Sequence, residues 1–104
     1  MLVGRVMLSG KSGKGTTMTK TKALKFEQLG CVPCKQNTLA LAKVNTHGIE
    51  VTPVSDQESF LKYSVRSIPK LILVGESGEV LDELHGQATV AELQAWFDKN
   101  KQNA

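Results

Sequence analysis

Apolar and polar residues recur with different periods along this 104-residue chain, and the changes of period divide it into elements. Residues 22–29, KALKFEQL, read as a strand. Residues 32–45 read as a helix. Its stripe of Cys34, Thr38 and Leu41 recurs at i, i+4 and i+7, with Leu39 and Ala42 beside it. His47 and Gly48 stop that helix, because glycine accepts the left-handed backbone that follows a helix end. Residues 49–55, IEVTPVS, form a second strand, in which Pro53 signals an edge or a bulge. Ser55 and Glu58 have the spacing of a capping box and predict a short helix to about residue 64. KLILV, 70–74, is nearly all apolar, the pattern of a strand buried on both faces. GESG, 75–78, is a hairpin turn, and EVLDELHG, 79–86, alternates like a half-exposed strand. Thr89 and Glu92 form a second capping box. They open a last helix whose Val90, Leu93, Trp96 and Phe97 make one apolar face. The order β-α-β-α-β-β-α predicts an α/β domain with a mixed sheet and helices on both faces.

Residues 1–20 do not share this pattern. SGKSGKGTT, 9–17, is polar and glycine-rich, the composition of a flexible segment. We expect a flexible basic extension over 1–20, with at most a short strand at 2–8, and one folded domain over 21–104. Met18 is a second possible start. Charge divides the same way. The first 25 residues carry six Lys/Arg and no acid, so the body is mildly acidic although the net charge is +3. No apolar run approaches the roughly 18 residues that a membrane span needs. Arg5 splits the apolar start, which makes a poor signal peptide. A soluble, cytoplasmic, monomeric protein is the expectation.

The candidate chemistry lies in LGCVPCK, 29–35, which holds the only two cysteines, Cys31 and Cys34. Small secreted proteins are usually cysteine-dense, so two cysteines at this spacing point away from a disulfide framework. Cys31 is placed between a strand and a helix, where the helix N-terminus favours an anion and lowers a thiol pKa. Pro33 suits a first helical turn. Cys34, one turn further in, is expected to be more buried. An exposed attacking sulfur with a shielded resolving sulfur is what thiol–disulfide exchange requires.

CVPCK resembles the active site of the thioredoxin family. YSVRSIPKLIL, 63–73, resembles the family's cis-proline segment. GESGEVLDELHG, 75–86, resembles the hairpin that follows it, and TVAELQAWFDKN, 89–100, the C-terminal helix. The likeness runs from about residue 22 to 100. It implies a thioredoxin fold and a protein-disulfide reductase in which Cys31 attacks and Cys34 resolves. It implies a cis Pro69 that sets the Ile68 backbone beside the cysteines, where an extended substrate peptide can pair with it. Val32, Ser67, Ile68 and Gly86 would form the docking surface. Implied partners are a flavin-dependent thioredoxin reductase and oxidised clients such as ribonucleotide reductase, with no tightly bound cofactor. Some proteins of this fold are instead accessory subunits without redox turnover, and that binding role is the alternative.

Several residues depart from the family pattern. Gly30 stands where the family has Trp, Val32 replaces a glycine, and Leu39 stands at the family's helix-kinking proline. Lys25 falls where bacterial thioredoxins carry a buried Asp. Glu27, two residues on and on the same strand face, either substitutes for that carboxylate or pairs with Lys25; a solvated pair at the sheet margin is the plainer expectation. His85 precedes Gly86, so the resemblance places it near Cys31, where an imidazolium would favour the thiolate. An exposed histidine without a role is the competing reading. Lys25, Glu27 and His85 are thus candidates for tuning the thiol.

Other chemistries fit less well. Zinc could draw on Cys31, Cys34, His47 and His85, but the histidines lack ligand spacing, and no metal is expected. GRVMLSGKS, 4–12, and GKSGKGTT, 10–17, are near misses to a phosphate-binding loop, the first by spacing, the second by its missing lysine. The basic leader could contact phosphates. No aromatics interleave with its lysines, so nucleic-acid binding is not expected.

Overall fold

The computed structural model describes residues 21–103, so the expected extension, its strand, Met18 as a start and the two loop-like motifs lie outside the described residues. Strand β1 (Lys22–Phe26) is followed by helix α1 (Val32–Leu41), strand β2 (Glu50–Val54) and helix α2 (Gln57–Lys62). Strands β3 (Lys70–Val74) and β4 (Val80–His85) come next, then helix α3 (Val90–Lys99) and a 3-10 turn at Lys101–Asn103. Among the described residues the sheet has the order β2-β1-β3-β4. β1 runs parallel to β2, with Lys22 opposite Glu50 and Phe26 opposite Val54. It runs antiparallel to β3, and β3 antiparallel to β4. The mixed sheet expected from the element order is therefore present.

Side-chain alternation along β1 and β3 divides the core between the two faces. Ala23, Leu71 and Leu73 pack with Leu93, Trp96 and Phe97 of α3, and Ala40 and Leu41 of α1 join them. Phe26, Ile72 and Val74 face the other way, against Phe60 and Tyr63 of the α2 segment. Phe26 meets the rings of Phe60 and Tyr63 edge-on, with centroids 5.1 and 5.9 Å apart. Such pairs contribute about 0.5–1.5 kcal/mol beyond the area they bury. All five residues of β3 are buried, as its apolar run predicted. Pro53 is exposed, and among the described strands β2 lies at an edge.

The structure corrects several element details. α1 ends at Leu41, not at residue 45. Beyond it the Lys43 and Val44 amides bond three residues back, to Ala40 and Leu41. Gln94 of α3 then takes over the chain, accepting from the Asn45 amide at 2.9 Å and donating to its carbonyl at 3.0 Å. His47 and Gly48, with φ of 55° and 86°, form a later turn into β2 and do not cap the helix. The buried face of α1 carries Cys34 and Asn37, while Thr38, Leu39 and Ala42 are exposed. Asp56, not Ser55, caps α2, accepting from the Ser59 amide at 2.9 Å. The Thr89–Glu92 capping box is present, but Val90 stands outside the buried face of Leu93, Trp96 and Phe97.

Candidate active site

Phe26 ends β1, and Glu27 extends the pairing by one bond, its amide donating to the Val54 carbonyl at 3.0 Å. The chain then turns through Gly30, which has φ of 84°, a value that side-chain-bearing residues rarely adopt. This is the position where the family resemblance leads one to expect Trp. Cys31 follows as the N-cap of α1, with extended backbone. Its sulfur accepts the Cys34 amide at 3.1 Å and so occupies the orphan-donor site of the helix start. Pro33 falls in the first turn, where its missing N–H interrupts no helical bond.

Cys31 and Cys34 are joined as a disulfide, with their Cα atoms 5.2 Å apart. Cys31 is partly accessible, whereas Cys34 is 3% exposed. The asymmetry expected of an attacking and a resolving sulfur is thus built by the helix: position 31 caps it and position 34 faces inward. The pair borders a hollow of about 340 Å³, lined also by Glu27, Gln28, Lys35, Thr38 and Ser55.

Lys25 is not at a solvated margin. It is 4% exposed and shares the sheet face of Ala23, the face that α1 and α3 cover. Its ammonium pairs with the Glu27 carboxylate, which is itself partly open to the hollow beside the sulfurs. The charged pair expected from the sequence is present, but one end of it is interior.

The Ile68-Pro69 bond is cis, as the resemblance implied. Pro69 is buried and Ile68 half-buried, while Ser67 and Val32 are exposed. Gly86, with φ of 80°, donates its amide to the Pro69 carbonyl at 2.9 Å. His85, the third residue considered for tuning the thiol, has a carboxylate partner. Its Nε2 lies 3.1 Å from Glu83, which also pairs with the buried Lys70 at 3.3 Å. His85 lines a second hollow, of about 350 Å³, bordered by Ala88 and Trp96 rather than by either cysteine.

Asn37 was missed in the sequence. It is 2% exposed, and its amide bonds the 86–88 segment twice: Nδ2 donates to the Gly86 carbonyl at 3.2 Å, and Oδ1 accepts from the Ala88 amide at 2.9 Å. The available signal was its spacing, three residues after Cys34, on the same helix face. A polar residue at that spacing reads as surface unless its partners are known.

The four residues weighed as zinc ligands do not converge. The sulfurs bond each other, His47 bonds Asp98 at 2.6 Å, and His85 bonds Glu83. Among the described residues no group of three or more His, Cys, Asp or Glu is gathered for a metal.

No family model matches the chain, and no curated protein matches it in sequence. Solved structures do. Thioredoxin-2 of a malaria parasite superposes with a TM-score of 0.67 at 24% identity, over 82% of this chain and 88% of that one. Fasciola hepatica thioredoxin gives 0.65 at 23% identity, over 78% and 81%. A thioredoxin variant from Halobacterium salinarum gives 0.66 at 22% identity, over 78% and 74%. The identities are low and the superpositions extensive, so the likeness is one of fold: this chain has the thioredoxin fold, with a bonded Cys31–Cys34 pair at the start of its first helix.

Proposed function

We propose that the protein is a thiol–disulfide oxidoreductase that reduces protein disulfides by dithiol exchange. The observation that carries this reading is the pair of sulfurs at the start of α1, one capping the helix and accessible, the other buried one turn in. In the reduced protein the Cys31 thiolate attacks one sulfur of a client disulfide. A mixed disulfide forms and one client thiolate leaves, taking up a proton. Cys34 then loses its proton and attacks the Cys31 sulfur, releasing the second client thiol and leaving the Cys31–Cys34 disulfide. Two electrons pass to the client. A flavin-dependent reductase returning them, and clients such as ribonucleotide reductase, are the partners this cycle calls for in a reducing cytoplasm. Val32, Ser67, Ile68 and Gly86 would offer the docking surface, with Pro69 shaping it.

The test is the reduction potential of the pair, measured by equilibration in defined thiol buffers, together with turnover of a protein disulfide. Related dithiols span about −270 mV for a reductant to about −120 mV for a strong oxidant. We expect reversible two-electron oxidation toward the reducing end and loss of all turnover in Cys31→Ser. A potential near the oxidising end overturns the reductase direction. Absence of reversible oxidation overturns the reading altogether.

A further inference from the structure

Asn37 stands in the interior of α1, where asparagine is a mediocre helix former, and its amide is buried. A buried amide is retained at low cost only when its donor and acceptor both find partners. Here they do, and both partners are backbone groups of one short segment, Gly86 and Ala88. That segment is held on its other side by the bond from the Gly86 amide to the Pro69 carbonyl. A continuous path of hydrogen bonds therefore runs from the cysteine helix through Asn37 and Gly86 to Pro69. An apolar residue at position 37 could fill the same space. It could not fix where the 86–88 backbone sits along the helix.

We infer that Asn37 is a positioning residue that holds the Gly86 segment in register with the Cys31–Cys34 helix, and so favours protein disulfides over small ones. The inference rests on the oxidoreductase reading above. A client chain has to lie across backbone groups near Ile68 and Gly86 while its disulfide reaches Cys31. A small disulfide needs only the partly accessible Cys31 sulfur. Displacing the segment handicaps the first and spares the second.

The experiment uses the full chain, reduced beforehand. It compares single-turnover rates with insulin and with the small aromatic disulfide 5,5′-dithiobis(2-nitrobenzoate). The variants are Asn37→Leu, which removes both bonds and keeps the branching of the side chain at Cγ, and Asn37→Asp, which keeps an acceptor and loses the donor. Val44→Ala, just beyond the end of α1 and packed against the core shared with α3, serves as a control for destabilisation alone. Both Asn37 variants are expected to react at least tenfold more slowly with insulin and within twofold of wild type with the small disulfide. The pH profile of the small-disulfide reaction should not change, and Val44→Ala should show no such split. Equal slowing of both reactions, or no slowing of either, overturns the inference and leaves the oxidoreductase reading standing. Variants that fail to fold assign Asn37 to stability and also overturn it. So does an Ala88 amide that exchanges with solvent at an unprotected rate in the wild type. A wild-type protein inert toward both disulfides instead overturns the oxidoreductase reading, and this inference with it.

Discussion

Glu27 is the acidic side chain bordering the hollow that holds both sulfurs, and Lys35, the other ionisable neighbour there, is exposed. In the proposed cycle the buried Cys34 thiol gives up a proton before it resolves a mixed disulfide, and Glu27, which borders the same hollow, is the acceptor we propose for it. We expect Glu27→Gln to slow resolution by about a hundredfold, the lower end of what general-base help contributes. Trapping with acid should then show the mixed disulfide accumulating. The same change strands Lys25 as an unpaired interior cation, so thermal stability should fall. Lys25→Met, by contrast, removes the desolvated charge and leaves Glu27 facing solvent. It should be neutral or stabilising, as replacements of buried ions by apolar side chains often are. Thermal melts of the two variants check the opposite signs. Gly30 makes a different point. A Cβ there would meet nothing within 4 Å, so space is not what favours glycine; the backbone at φ of 84° is. Gly30→Ala and Gly30→Trp should each cost about 1–2 kcal/mol in urea unfolding, the penalty of left-handed backbone in an L-residue. The sequence showed the cysteines, Glu27 and Gly30 as chemistry. It did not show the interior Lys25 or Asn37, because whether a polar side chain is buried depends on what packs over it.

At the scale of elements, the signals that survived folding were local ones. The Thr89–Glu92 box, the all-apolar β3 and the turn before β4 each depend on residues within a few positions, and each was legible. The end of α1 was not. Gln94 comes from a helix some fifty residues away, and it converts Asn45 from a helical residue into a tether. The same side chain donates to Asp98 at 3.0 Å, and Asp98 accepts His47 as well. The His47 bond, then the Gln94 bond, hold the Asp98 carboxyl below its ordinary value of 3.8. A depressed carboxylate stabilises the fold at pH above its unfolded value, and the gain is lost as pH falls through the folded one. The wild type should therefore lose stability between neutral pH and about pH 3 more steeply than Asp98→Asn. Urea unfolding across that range checks this; parallel curves would remove Asp98 from the account.

At the scale of the molecule, the period changes along the chain were enough to order seven elements and to place helices on both faces of a mixed sheet. Pairing partners were not in the pattern: β1 lies between β2 and β3 because its two faces are both covered, one by α1 and α3 and the other by α2. That burial has an optical consequence. Trp96 is the sole tryptophan of the chain. It packs edge-on against Phe97 and borders the hollow of His85, not that of the sulfurs. Its indole N–H is buried without a hydrogen-bond partner among the described residues. Emission should be blue-shifted in the folded protein and move to the red on unfolding. It should stay level when the disulfide is opened by a reductant, since no indole stands beside the sulfurs to be quenched. Intrinsic fluorescence then becomes a pure reporter of folding, and redox titrations of this protein need a thiol-reactive dye.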